Sequence, residues 1–327
     1  MQTIESLQKL IEQSILDLSS KWSVQPPINL YEPVSYAMGA GGKRLRPTLV
    51  LLAYQLFGKE LAKAIPSALA VEVFHNFTLL HDDIMDKAEL RRSLPTVHKK
   101  YSENTAILSG DAMAFMAYEL LLETDLPAKH ETLPIFTRTA LEVCEGQQLD
   151  MDFELRNDVT ASEYIEMIRL KTAVLLGCAL QMGAFLGGAA PAQASDLYQI
   201  GINMGLAFQL QDDLLDSFGN EEIFGKKIGG DIVSNKKTYL LIGSRELATG
   251  ALRSRLEHWI SATHFDAEEK IEAIKAVYNQ LGVKEKVEAM IGSYTREAIE
   301  LLEALPVEAH LKTPLTDLCS QLSRRIS

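Results

Sequence analysis

Cysteine is scarce, positive charge is outweighed, and nothing in the chain reads as a flexible linker. Of 327 residues only Cys144, Cys178 and Cys319 are cysteine. An odd count without paired spacing excludes a disulfide framework and a structural zinc motif. Buried, inert thiols in a reducing compartment are expected instead. Lys plus Arg number 32 against 44 Asp plus Glu, a net charge of −12. General nucleic-acid binding needs a basic footprint, so nucleic acid is not an expected partner. Anionic ligands are still open to this chain, provided that metal ions or a local basic cluster meet them.

No Gly/Ser linker, low-complexity tract or fixed repeat interrupts the sequence, so one domain covering residues 1–327 is expected. The start, MQTIESLQKLIEQSILDLSSKW, has neither the basic nor the apolar region of a signal peptide, and a cytoplasmic location follows as the expectation. One run approaches a membrane span, Ala173 to Ala190. Its 18 residues sit at the lower limit for a span and include four glycines, and no second span is evident. It reads as a buried central helix, so no transmembrane segment is expected. Strand-like alternation bounded by hairpin turns is also absent.

Helical periodicity fills most of the chain. Pro47 to Phe57 begins on proline and stops at Gly58. Further helical runs cover roughly 67–86, 104–123, 131–153, 162–188, 193–218, 235–248, 251–261, 267–281, 283–304 and 311–325. The fold class expected is all-α, a single large bundle of ten or more helices.

Two short acidic segments repeat one spacing. LLHDDIMD carries Asp82, Asp83 and Asp86; LQDDLLD carries Asp212, Asp213 and Asp216. Positions i and i+4 share a helical face, so each pair of outer carboxylates repels by roughly 0.2–0.5 kcal/mol even when exposed. One such cluster is ordinarily a solvated face, but two with identical spacing at the ends of apolar helices need another reason. Mg²⁺ supplies it, since this hard cation is held by one or two carboxylates plus substrate phosphates. Calcium storage is a poorer reading, because neither segment has EF-hand spacing.

Basic residues escort both clusters. GGKRLRP sets Lys43, Arg44 and Arg46 in a glycine-flexed turn before a helix, where side chains and backbone N–H groups can meet an anion. Arg91 and Arg92 follow the first cluster, and arginine suits bidentate phosphate contact. Lys171 and Thr172 open the apolar central run. Lys226, Lys227 and Asp231 lie in a glycine-bounded loop after the second cluster, followed by Lys236 and Lys237. The pattern fits two anionic groups, one clamped through metal and one held directly.

Together GGKRLRP, HDDIMD with RR, K-T, and FQLQDDLLD with GKKIGGD resemble the trans-isoprenyl diphosphate synthase (polyprenyl synthetase) family over about residues 39 to 238. The resemblance implies an isoprenoid synthase-like bundle around a central cavity. It implies a short-chain prenyltransferase resembling geranylgeranyl or farnesyl diphosphate synthases, with isopentenyl diphosphate and an allylic diphosphate as substrates. It also implies about three Mg²⁺ per site and a homodimer. It assigns metal binding to Asp82 and Asp86, with Asp83 in support, and to Asp212, Asp213 and Asp216. Lys43, Arg46, His75 and Arg92 fall on positions that hold isopentenyl diphosphate. Arg91, Lys171 and Lys226 fall on positions that grip the allylic diphosphate, with Lys236 a further substrate contact. Thr172 and Gln209 fall where oxygen dipoles face a developing cation.

Chain length is read from the residues before Asp82. At 100° per residue Phe77 points roughly 140° from Asp82, so helical arithmetic alone does not place it beneath the substrate. The resemblance does, making Phe77 and Thr78, with Phe74 nearby, a floor that favours a C20 product and C15 next. Two other readings are a class I terpene cyclase and a non-catalytic subunit of a heteromeric synthase. A cyclase pairs its D-D-x-x-D with a different metal motif, and a non-catalytic subunit would be expected to lose acidic clusters.

Overall fold

The computed structural model describes residues 2–124, 128–219 and 228–323. The described chain is built almost wholly of helices, as the periodicity predicts. It divides into two compact units. The first comprises Met1–Thr137, Cys178–Leu197 and Val307–Pro314; the second comprises Arg138–Gly177, Tyr198–Pro306 and Leu315–Ser327.

In the first unit, α1 (Ile4–Trp22) starts where the Thr3 hydroxyl accepts from the Ser6 N–H, and it buries Leu7, Ile11, Ile15 and Trp22 at helical spacing. α2 (Ile28–Gly39) packs against it. α3 (Leu45–Gln55) begins two residues before the proline expected to open it, with Arg44 in the left-handed region just ahead. After a 3₁₀ turn at Leu61–Ala64, α4 (Ile65–Met85) runs through the core and is buried from Ser67 to Phe74. It ends on Asp86, where Lys87 turns left-handed.

A small hairpin follows. β1 (Leu90–Arg91) pairs antiparallel with β2 (Leu94–Pro95), with Arg92 and Ser93 both at positive φ in the turn. This corrects the expectation that strands are absent: two residues per strand are too few to show alternation. Beyond the short α5 (Val97–Lys100), α6 (Glu103–Glu123) lies along α4.

α7 (Lys129–Leu155), α9 (Val174–Gly187) and α10 (Pro191–Phe218) each contribute residues to both units. In the second unit, α8 (Ala161–Ile168) opens with a reciprocal capping box between Thr160 and Glu163. The sequence reads as one helix across 162–188, but Arg169–Ala173 forms a π-helical turn between α8 and α9. The unit continues with α11 (Gly230–Ser234), α12 (Tyr239–Leu247), α13 (Gly250–Ser261), α14 (Ala267–Gln280) and α15 (Val283–Ala304). α16 (Ala309–Ser323) closes the described chain.

Among the described residues, two helical stretches are long and apolar enough to cross a membrane, Glu103–Glu123 and Ala161–Gly187. The second covers the run singled out in the sequence as far as Gly187, and 78% of its apolar window is buried, as a core helix requires. Glu103–Glu123 was not expected; 44% of its window is buried. Cys178 and Cys319 are buried as expected, whereas Cys144 is exposed.

Candidate active site

The basic turn before α3 sorts its cations by backbone direction. Gly41 and Gly42 both have positive φ, and a Cβ on Gly42 would sit 2.8 Å from the Arg92 guanidinium. That bare backbone lets Arg92 Nη1 donate to the Gly41 carbonyl. Arg44 turns inward instead. It is 4% exposed and donates to Glu12, Glu72 and the Met38 carbonyl. Sequence reading grouped Arg44 with the anion-binding residues, but its charge is spent on the buried Glu72 and the more exposed Glu12.

Arg46 and His75 meet at 3.1 Å, between Nη1 and Nε2. Burial pulls the Arg46 guanidinium down to about 10, and its buried Nε has no hydrogen-bond partner. Burial, then Arg46, Arg92, Arg91 and Arg44 in turn, hold His75 well below the usual imidazole range. A neutral imidazole can accept from Arg46. Arg46, His75 and Arg92 thus form a cation-rich nest whose guanidinium donors exceed the local acceptors. Lys43 lies exposed on the same turn, and its carbonyl accepts from Gln8.

The first acidic cluster closes α4. Asp86 is exposed, Asp82 is half-buried, and Asp83 is only 5% exposed. Burial raises the Asp83 carboxyl, and the Arg91 guanidinium opposes that shift. Arg91 donates from Nε to Asp83 Oδ1 at 2.7 Å and from Nη2 to Asp82 Oδ2 at 3.3 Å. It therefore relieves the repulsion that the paired aspartates create. The hairpin explains the division of labour, because Arg91 ends β1 while Arg92 opens the turn, and the two meet different partners.

In the second cluster, on α10, the buried middle member is hydrogen-bonded by neutral donors. Asp213 is 4% exposed; Tyr164 Oη donates to its Oδ2, and Gln209 Nε2 donates to its Oδ1 at 3.1 Å. Burial pushes the Asp213 carboxyl up to about 7, and the hydrogen bond from Tyr164 does most to oppose that rise. Asp212 and Asp216 are half-buried. Asp216 Oδ1 accepts from the Asp231 N–H at 2.9 Å, and Asp231 itself is raised by burial to about 6. Lys236 lies 3.8 Å from Asp231.

The π-helical turn presents Lys171 and Thr172. Such a turn inserts a residue into the helix and recurs at functional sites. Here Lys171 Nζ reaches Asp150 Oδ2 at 2.5 Å, and Thr172 Oγ1 donates to Gln209 Oε1 at 3.1 Å. α7 approaches so closely that a Cβ on Gly146 would strike the Lys171 backbone. Sequence reading missed Asp150, Gly146 and Tyr164. The run Gly146-Gln147-Gln148-Leu149-Asp150, polar within a helix, was the available signal for two of them.

The first unit thus brings together Arg46, His75, Arg92, Arg91 and the first cluster. The second brings together Lys171, Thr172, Gln209, Lys236 and the second cluster. Lys226 and Lys227 lie outside the described residues. The chain-length candidates form part of an aromatic column. Phe74 contacts Phe77 at 5.4 Å and Phe136 at 5.2 Å between ring centroids, and Phe136 meets Tyr118 at 5.3 Å. Phe77 also meets His81, at 4.8 Å. Thr78 donates to the His75 carbonyl.

No group of three or more His, Cys, Asp or Glu side chains converges as a metal cage among the described residues. Mg²⁺ uses few protein carboxylates and fills the remaining positions with water and phosphate oxygens. The outer aspartates of each motif are the hard oxygen donors such sites require.

The polyprenyl synthetase family model matches residues 27–280. The geranylgeranyl diphosphate synthase of Methanosarcina mazei is 40% identical over 284 residues, covering 86% of each chain. The geranylfarnesyl diphosphate synthase of Natronomonas pharaonis is 38% identical, covering 94% of this chain and 93% of that one. A crystal structure of a geranylgeranyl pyrophosphate synthase superposes with a TM-score of 0.93 at 47% identity, over the full length of both chains. With the family's acidic motifs and basic turn in place, the chain is a prenyltransferase and belongs to the polyprenyl synthetase family.

Proposed function

We propose that this chain condenses isopentenyl diphosphate with an allylic diphosphate, making an all-trans short-chain prenyl diphosphate, C20 in preference to C15. The carrying observation is the nest of Arg46, His75 and Arg92, whose hydrogen-bond partners are His75 and the Gly41 carbonyl rather than the carboxylates of the aspartate motifs. A cyclase handles one diphosphate and has no use for such a second anion subsite. Two intact acidic motifs also argue against a non-catalytic subunit.

The allylic C–O bond breaks and its electron pair leaves with the diphosphate. The alkene of isopentenyl diphosphate then forms the new C–C bond, and a proton is lost to the released diphosphate. No protein nucleophile is required. Lys43, Arg46, His75 and Arg92 hold isopentenyl diphosphate; a neutral His75 accepts from Arg46 and keeps its guanidinium aimed. Arg91, Lys171, Lys226 and Lys236 serve the allylic diphosphate, with Asp150 orienting the Lys171 ammonium. Thr172 and Gln209 turn oxygen dipoles toward the cation, and apolar walls keep water away.

Polyprenyl synthetases are Mg²⁺-dependent. Bound Mg²⁺, about three per site, supplies stabilisation of the charge growing on the departing diphosphate. Asp82, Asp86, Asp212 and Asp216 are the residues that would hold it, while Asp213 has both oxygens engaged.

The whole chain works as one catalytic domain and as a cytoplasmic homodimer. Support for the dimer comes from α6, where Leu108, Phe115 and Leu122 recur every seventh residue yet are 60%, 73% and 58% exposed. An exposed apolar stripe of this kind marks an interaction face, and it accounts for a membrane-like composition in a half-buried helix.

Phe74 and Phe77 set product length, with the smaller Thr78 beside them. Phe77→Ala combined with Phe74→Ala should lengthen the product by one or more C5 units and leave the primer KM nearly unchanged. An unaltered product distribution in a folded double variant places the floor elsewhere. The function itself is tested by incubating the purified chain alone with isopentenyl diphosphate and an allylic primer. Chain extension supports prenyl transfer; cyclic hydrocarbon or no turnover supports one of the other two readings.

A further inference from the structure

The four groups Tyr164, Asp213, Gln209 and Thr172 make one continuous hydrogen-bonded chain. Tyr164 Oη donates to Asp213 Oδ2, Gln209 Nε2 donates to Asp213 Oδ1, and Thr172 Oγ1 donates to Gln209 Oε1. Tyr164 and Asp213 are 2% and 4% exposed, so bulk water does not replace either bond. Gln209 sits one helical turn before Asp213 on α10, and Thr172 sits in the π-helical turn.

We infer that Asp213 is a positioning residue rather than a metal ligand: braced by Tyr164, it fixes the Gln209 amide so that its oxygen, not its N–H₂, faces Thr172 and the reacting carbon. The inference rests on the proposed prenyl-transfer reaction and deepens it. A carboxylate only accepts hydrogen bonds, so the side of Gln209 that faces it must be the amide nitrogen. The amide oxygen is then left to accept from Thr172. A flipped amide would aim positive N–H dipoles at a developing cation, the wrong sign for stabilisation. The acidic repeat therefore hides two roles. Its outer carboxylates, Asp212 and Asp216, are less buried and are the ones assigned to metal, while Asp213 spends both oxygens inside the protein.

Asp213→Asn separates the roles. Its amide can accept from Tyr164 through oxygen and donate through nitrogen to Gln209, which forces Gln209 to turn over. The expected result is a kcat lower by about 10-fold or more, from the loss of one oriented dipole. KM values for both diphosphates should stay within about threefold. Mn²⁺ binding, followed by electron paramagnetic resonance in the presence of inorganic diphosphate, should also stay within about threefold of wild type, while Asp212→Asn weakens it at least about 10-fold; a metal ligand is worth more than this threefold margin. If Asp213→Asn weakens Mn²⁺ as Asp212→Asn does, or keeps full kcat, the inference is overturned.

Tyr164→Phe, measured the same way, decides the matter if Asp213→Asn does not fold. It should lower kcat and leave Mn²⁺ binding unchanged, and full kcat in a folded Tyr164→Phe overturns the bracing role. Wild-type turnover is the internal control. Its absence would defeat the prenyl-transfer reading, whereas the Mn²⁺ titration of Asp213→Asn judges this inference alone.

Discussion

The two D-D-x-x-D motifs share a spacing and a burial pattern but not a means of support. In both, the middle aspartate is buried and the outer two are more accessible. Asp83 is balanced by a full charge, the Arg91 guanidinium at 2.7 Å. Asp213 is hydrogen-bonded by neutral donors, a tyrosine hydroxyl and a glutamine amide, with the Lys236 ammonium acting on it from further off. The difference follows from what lies downstream. The first motif is followed at once by a hairpin that carries arginines. The second lies beside α8 and the π-helical turn, which supply Tyr164 and Thr172. A charge-braced carboxylate leaves the local field less negative. A carboxyl held by two oriented hydrogen bonds can fix the direction of a neighbouring dipole.

The largest effect should come from the outer aspartates. Asp82→Ala should lower kcat by about three orders of magnitude or more, because stabilisation made mainly in the transition state is lost. Asp212→Ala should match it. Chelation with EDTA should abolish turnover in wild type. Steady-state rates check all three, and a near-wild-type Asp82→Ala would contradict a metal role for the first motif.

Next come the residues of the anion nest. Arg46→Ala removes a charge-assisted contact worth roughly 1.5–3 kcal/mol. It should therefore raise the isopentenyl diphosphate KM by about 10- to 100-fold while leaving the primer KM within about threefold. A variant that weakens primer binding instead would break the division between the two anions.

Arg91→Ala sharpens the contrast between the two kinds of support. It strands the buried Asp83 carboxylate, and a partly exposed pair of this kind should cost about 1–3 kcal/mol of stability, less than a fully buried one. The effect should shrink in high salt, since charge pairs near the surface are screened. Tyr164→Phe should destabilise by a similar or smaller amount with no salt dependence. Urea unfolding at low and high salt measures both, and equal salt sensitivity would erase the distinction.

The smallest effect concerns His75. Its folded-state pKa lies well below the ordinary value of 6.5, so below pH 6.5 the unfolded chain takes up a proton there that the folded chain does not. Stability from this group is thus complete above pH 6.5 and is lost as pH falls, by up to about 1.4 kcal/mol per pH unit. The raised carboxyls Asp213 and Asp231 have the opposite trend, so wild type must be compared with His75→Gln. The variant should lose less stability between pH 6.5 and 5.5; parallel curves would mean that His75 titrates normally.

Most helices were legible in the sequence because proline, glycine and apolar spacing mark them locally. Their ends shifted by a few residues, as with α3, which opens at Leu45 rather than Pro47. The π-helical turn was not legible, since an inserted residue within a helix leaves the composition unchanged. The hairpin escaped because each strand is two residues long. Acidic motifs and their basic escorts were legible as types and spacings. Which cation meets which partner was not: Arg44 and Arg46 are two residues apart, yet one neutralises Glu12 and Glu72 while the other meets His75. Side-chain direction at a left-handed turn decides that, and it depends on Gly41 and Gly42 as well as on the helix that follows.

The most direct measurement is chain-length analysis of the product made by the purified protein from labelled isopentenyl diphosphate, with each allylic primer in turn and Mg²⁺ present. The expected main product is an all-trans C20 diphosphate, with some C15, and none after EDTA. A cyclised hydrocarbon, or extension that proceeds undiminished in EDTA, would contradict the proposed reaction.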